Sequence, residues 1–133
     1  MRMHPVVGEQ LVRRIGGLEG AAPILRHHHE RFDGDGYPDG LRGHAIPIEA
    51  RIVGAAEAYS AMTSGHVYRR GRDQSEAVAE LTREAGAQFD PEVVAALQAV
   101  LAADLERIRN ELALAHTPVR EPPDLRSIPP TRP

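Results

Sequence analysis

The sequence predicts an all-α domain with one long glycine-rich loop at its centre. Three observations carry this: apolar residues recur at helical spacing in several separate stretches, capping residues stand where those stretches begin, and no strand-type alternation survives. The first helix opens at His4-Pro5, with proline suited to the first helical position; Val7, Leu11, Val12 and Ile15 keep the spacing and Gly16-Gly17 ends it. A second helix is expected from about Ala21 to about Arg31, carrying His27, His28 and His29. From Phe32 to Ile46 no period holds, and Gly34, Gly36, Pro38, Gly40 and Gly43 mark a loop. Pro47 then starts a third helix with Ile48, Ile52, Ala55, Ala56, Tyr59 and Met62 on its apolar side. Asp73 and Glu76 have the form of a capping box for a helix ending near Gly86. Asp90-Pro91 caps a last, long helix through Val94, Leu97, Leu101, Leu105, Ile108 and Leu112. Past His116 prolines crowd the chain, so a domain at 1–115 and a disordered tail at 116–133 are expected.

Composition narrows the function. A chain of 133 residues has room for one domain, and 41% hydrophobic with 26% charged residues is a globular balance. No apolar run approaches the ~20 residues of a membrane span, and no charged-then-apolar leader opens the chain, which points to the cytoplasm. The absence of cysteine excludes disulfides, thiolate metal sites and thiol nucleophiles. A net charge of −3 without a basic stripe argues against a nucleic-acid polymer as partner. All 16 basic residues are arginine, so no step needing a lysine ammonium runs on this sequence.

Chemistry concentrates around the loop. DGDGYPDG follows three consecutive histidines; its glycines allow close backbone approach, and Tyr37 offers a stacking face and a hydroxyl. The stretch is either a binding loop or a turn-rich connection with incidental acids. On a helix, His28 and His29 point about 100° apart, which suits two neighbouring metals, or a metal and a phosphate, better than one shared ion. The same run can equally be a solvated helix surface. Imidazole with carboxylate suits iron, manganese or zinc. Glu57, on an alanine-rich helix, is either exposed or a ligand pointing into a site.

Together these pieces resemble the HD-GYP family, bacterial phosphodiesterases that open cyclic di-GMP. HHERFDGDGYPDGLRGHAIPIEARI is similar to the family's signature stretch, HPVVG (His4 to Gly8) to its upstream metal-histidine motif, AEAYSAMTSGHVYRR to its DxxDAMTSxRxYR stretch, and GAQFDPEVV to its C-terminal element. The resemblance implies a partial HD-domain helical bundle with a long Gly-rich GYP loop, and a di- or trinuclear iron or manganese site. It places the metal ligands on His4, His28, His29 and Glu57, the last in place of an aspartate. It places the substrate-side loop on Gly36, Tyr37 and Pro38, associated with substrate entry and with contact to a signalling protein, and a phosphate-binding arginine on Arg69. Ser60 stands where the stretch has a second aspartate, and His66 where it has an arginine. The family's HD pair and a catalytic lysine lie N-terminal to HPxxG, and the sequence starts three residues before His4. A half-domain of this kind is expected to leave apolar faces on its first and third helices and to favour a homodimer. Three readings follow: a cyclic di-GMP phosphodiesterase, a module that binds nucleotide or partner without cutting, and a fragment of a longer protein.

Overall fold

The computed structural model describes residues 3–64 and 71–115. Its order is α1 (His4–Val12), a 3-10 turn (Glu19–Ala21), α2 (Ala22–His27), a second 3-10 turn (Gly43–Ala45), α3 (Ile48–Thr63), α4 (Gln74–Arg83) and α5 (Pro91–Ala115). Among the described residues there is no strand, only an isolated bridge between Ala85 and Phe89. The all-α expectation holds. Arg69, His66 and the proline-rich stretch from 116 lie outside the described residues.

The chain divides into two units, Met1–Leu101 and Ala102–Pro133. In the first, α1 packs on α2, α2 on α3 and α3 on α4. Its core gathers Ala55, Leu81, Phe89, Val93 and Val94, with Ala58, Tyr59, Met62 and Leu97 packed against them. In the second, Leu105, Ile108 and Leu112 are exposed, so the last helix does not bury the whole apolar stripe read from its sequence.

Local rules place the helix starts. Asp73 accepts the Glu76 amide at 2.8 Å while the Glu76 carboxylate accepts the Asp73 amide at 3.3 Å, completing the expected capping box. Asp90 accepts the Glu92 amide at 2.8 Å and starts α5. Three expectations need correction. The first helix ends at Val12, before the expected stop at Gly16-Gly17, and the Arg14 and Ile15 amides bond the Leu11 and Val12 carbonyls in turns at 3.1 and 3.0 Å. The second helix stops at His27, four residues early, because the chain turns there: the Glu30 amide bonds the His27 carbonyl at 3.0 Å. The apolar face of α3 is met in part: Ala55 is buried and Tyr59 and Met62 pack on the core, but the expected face fails at its N-terminal end and at Ala56, which is exposed. Ala50 and Ala55 are buried, whereas Ile48 and Ile52 are exposed, since the small residues are what let neighbouring segments come close.

The loop between α2 and α3 is fixed to the rest of the unit. The Phe32 amide bonds the Gln88 carbonyl at 3.1 Å and the Asp33 amide the Ala87 carbonyl at 2.8 Å. Behind it, Arg51 of α3 forms a buried ion pair with Asp90 and donates through Nε to the Ile46 carbonyl at 3.0 Å. Burial pushes the Asp90 carboxyl up, but hydrogen bonds from Arg51 and the Glu92 amide outweigh it and hold the group below the ordinary aspartate range.

A depressed folded-state pKa stabilises the fold above the unfolded value, near 3.9, and that contribution is lost as pH falls through the folded value. Asp90→Ala, which leaves Arg51 buried without its anion, is expected to cost about 3–5 kcal/mol near neutral pH. Thermal melts of wild type and Asp90→Asn should differ at pH 7 and converge between about pH 4 and pH 2. A gap constant across that range would show that the ion pair does not stabilise the fold through its charge.

Candidate metal centre

His4 is the first residue of α1, whereas His28 and His29 lie in the turn that ends α2. His28 and His29 sit with ring centroids 4.1 Å apart, and His4 closes on them at 5.7 and 4.8 Å. The facing nitrogens of His4 and His29, both Nε2, are 2.9 Å apart. One ligand atom from each of the three rings lies within 4.8 Å of the others. The three rings are thus close enough for one ion to reach all of them.

Each ring has a neighbour that orients it. His28 Nδ1 lies 2.8 Å from the Leu25 carbonyl, which fixes the proton on Nδ1 and leaves Nε2 open as a ligand atom. His29 stacks on Tyr37, with centroids 5.1 Å apart and planes 22° from parallel. Burial, then the charge of His28, holds the His29 imidazole below the ordinary histidine range, with Glu57 opposing and His4 adding to the effect. A neutral imidazole is the form that binds metal. Glu57 reaches to 3.8 Å from His28 Nε2 from an exposed position on α3, so the carboxylate stands at the edge of the cluster.

The backbone allows these approaches at two glycines. A Cβ on Gly54 would stand 2.6 Å from the His28 carbonyl oxygen; its absence lets α3 lie against the histidine turn and brings Glu57, three residues on, beside His28. A Cβ on Gly36 would stand 2.2 Å from the Arg31 nitrogen and 2.5 Å from the Glu30 Cα. Gly36 thus holds the loop against the turn, and Gly36 and Tyr37 line the cavity beside the cluster, whereas half-buried Pro38 is not among its lining residues. A cavity of about 520 Å³ opens beside the histidines, lined among others by His28, His29, Tyr37, Arg51, Glu57 and Gln88. That size falls in the range of small-ligand sites.

Sequence reasoning missed Glu30, Gly54 and Arg26. Arg26 donates to Glu9 of α1 at 2.6 Å and to both oxygens of Asp39 in the loop at 2.6 and 2.7 Å, tying three segments together. A lone glycine inside an alanine-rich helix was the available signal for Gly54, since it marks a close approach. A second group, His27, Glu30 and Asp39, also gathers within 4.8 Å, but Arg26 and loop amides already occupy its carboxylates.

The donor set fits a transition-metal ion. Three imidazoles and a carboxylate with no thiolate match iron, manganese or zinc, and facing nitrogens near 3 Å suit ligand distances of about 2.0–2.2 Å.

Comparison with known proteins places the fold. Residues 1–93 match the family model described as HD domain. A cyclic di-GMP phosphodiesterase response regulator of Xanthomonas campestris pv. campestris is 42% identical over 99 residues, covering 73% of this chain and 26% of that protein. A cyclic di-GMP phosphodiesterase of Thermotoga maritima is 38% identical over 98 residues, covering 72% and 27%. The chain thus spans about a quarter of the length of these curated relatives. In structure it is similar to a cyclic GMP-AMP specific phosphodiesterase of V. cholerae, with TM-score 0.66 and 24% identity over 76% of this chain and 23% of that one, a likeness of fold.

Alanine at an exposed helical site gains roughly 0.5–1 kcal/mol over glycine. At Gly54 the clash with the His28 carbonyl reverses the sign: Gly54→Ala is expected to destabilise by about 1–3 kcal/mol and to weaken binding of cobalt(II) by the histidines. A melting temperature above wild type would contradict the close approach.

Proposed function

The chain belongs to the HD domain family and carries the HD-GYP signature, and on that premise we propose that it is the histidine-bearing part of a metal-dependent phosphodiesterase acting on cyclic dinucleotides, cyclic di-GMP first among them. The observation that supports this best is the convergence of His4, His28 and His29, with Tyr37 of the glycine-rich loop stacked on the last. The relatives that are cyclic di-GMP phosphodiesterases supply the substrate class.

We assign His4, His28 and His29 as metal ligands and Glu57 as a carboxylate that completes the set. Iron or manganese is the proposed metal. When bound, such an ion lowers the pKa of water into the neutral range and neutralises charge on the phosphate. The residues of this chain supply the rest. His28, its Nδ1 turned to the Leu25 carbonyl, presents Nε2 in a fixed direction, and His29 is held neutral by burial and by its neighbour. Gly36 and Tyr37 form one wall of the cavity in which a nucleotide is held, with Pro38 next to them in the loop, and Arg69 meets phosphate charge as a guanidinium does. The loop also offers a surface to a signalling protein, a homodimer is the proposed assembly, and the cytoplasm the setting. Among the described residues no helix is long and apolar enough to cross a membrane.

A second reading rests on α3. Ser60 is exposed where the family's stretch has an aspartate, and Glu57 stands at the edge of the triad, which suits a module that holds nucleotide or partner without cutting. The two separate in one experiment. The protein is loaded anaerobically with iron(II) or manganese(II), and cyclic di-GMP turnover to the linear dinucleotide or GMP is followed by chromatography. Hydrolysis that depends on metal and falls at least a hundredfold in a His28→Ala/His29→Ala variant is expected. Nucleotide binding without turnover, unchanged in that variant and lost in Tyr37→Ala, would assign the binding role instead.

A further inference from the structure

Glu30 follows the two ligand histidines directly, and its carboxylate is fully buried and bonded to the loop. It accepts hydrogen bonds from three successive amides: Asp39 at 2.7 Å and Gly40 at 3.1 Å on Oε1, and Leu41 at 3.1 Å on Oε2. Gly40, at φ +68°, provides the left-handed backbone that lets consecutive amides converge on one anion. These bonds close the loop back onto its own start.

Tyr37 sits between two such anchors. On one side Gly36 is pressed against the backbone of Glu30 and Arg31. On the other, residues 39–41 are held by the Glu30 carboxylate, with Asp39 also clamped by Arg26. The Tyr37 amide donates to the His29 carbonyl at 3.3 Å, and its ring lies along the His29 ring. The orientation of His29 is therefore linked through Tyr37 to a carboxylate that does not touch it.

We propose that Glu30 is a positioning residue for the metal centre: by gathering the amides of residues 39–41 it seats Tyr37 on His29 and fixes the direction of the third imidazole. This inference rests on the metal-centre reading above, to which it adds a residue outside the ligand set. The chemistry of the side chain orders its variants. A glutamine can still accept two amides on Oε1, but its NH2 faces the Leu41 amide, donor against donor. An alanine leaves all three amides without an acceptor.

The test uses the metal-free chain with labelled histidines. In the NMR spectrum of wild type, the Tyr37 ring current displaces the His29 ring-proton signals, and Tyr37→Ala gives the undisplaced reference. Glu30→Gln is expected to move the His29 signals toward that reference, and Glu30→Ala to reach it. Asp73→Ala, which removes the cap of α4, serves as a control that lowers the melting temperature and leaves the His29 signals in place. If Glu30→Ala does not fold, Glu30→Gln with native far-UV circular dichroism decides. His29 signals at wild-type positions in a folded Glu30→Gln chain would overturn the proposal. A cobalt(II) titration follows, with a weakening of the order of tenfold expected for Glu30→Gln. Absence of cobalt binding by wild type would instead count against the metal-centre reading, leaving the NMR result to decide the role of Glu30.

Discussion

Burying a carboxylate costs several kcal/mol unless hydrogen bonds replace the water it loses. Glu30 meets that condition with three backbone amides, and the rest of the site is arranged around the result. Satisfying the carboxylate bends residues 31–41 into a closed loop. The same bend is consistent with α2 ending at His27, since the chain must leave the helix for Glu30 to reach the loop. His28 and His29 thereby lie in a turn rather than on a helix, and they can face His4 together. Arg26 reinforces the arrangement from outside by joining Glu9, on the helix that begins with His4, to Asp39 in the loop.

Close approach is the second constraint, and it is set by what side chains lack. Without a Cβ at Gly54, α3 can lie on the His28 carbonyl; without one at Gly36, the loop can lie on the Glu30–Arg31 backbone. Both contacts fix backbone against backbone, which moves less than a long side chain does. The cluster is thus built on parts of the fold whose positions are set by packing, as a preorganised ligand set requires. Glu57 is the exception. It is carried on the same face of α3 but reaches the cluster from an exposed side chain, so its direction is the least determined of the four.

Much of this was legible in the sequence. The number and order of the helices, the capping box at Asp73 and Glu76, and the cap at Asp90 follow from spacing and local hydrogen bonding, and they appear as expected. The histidines and the loop were recognisable by motif. What the sequence hid was long-range. The sequence reading extended α2 to about Arg31 because nothing local shows that Glu30 will be captured by amides nine to eleven residues away. Helical periodicity put Ile48 and Ile52 on the buried face of α3, whereas in the first half of the helix the buried residue is Ala50 and the close approach is made at Gly54, which carry little apolar weight in a pattern. Arg26 and Asp39 read as ordinary surface charges until the fold brings them 2.6 Å apart.

The central claim is that His4, His28 and His29 form one metal centre, and anomalous diffraction tests it most directly. Crystals grown with manganese(II) and measured at the manganese edge should show a peak within about 2.0–2.3 Å of the Nε2 atoms of all three histidines. No peak there, with the His4 and His29 rings still bonded to each other, or a peak only beside His27 and Asp39, would contradict it.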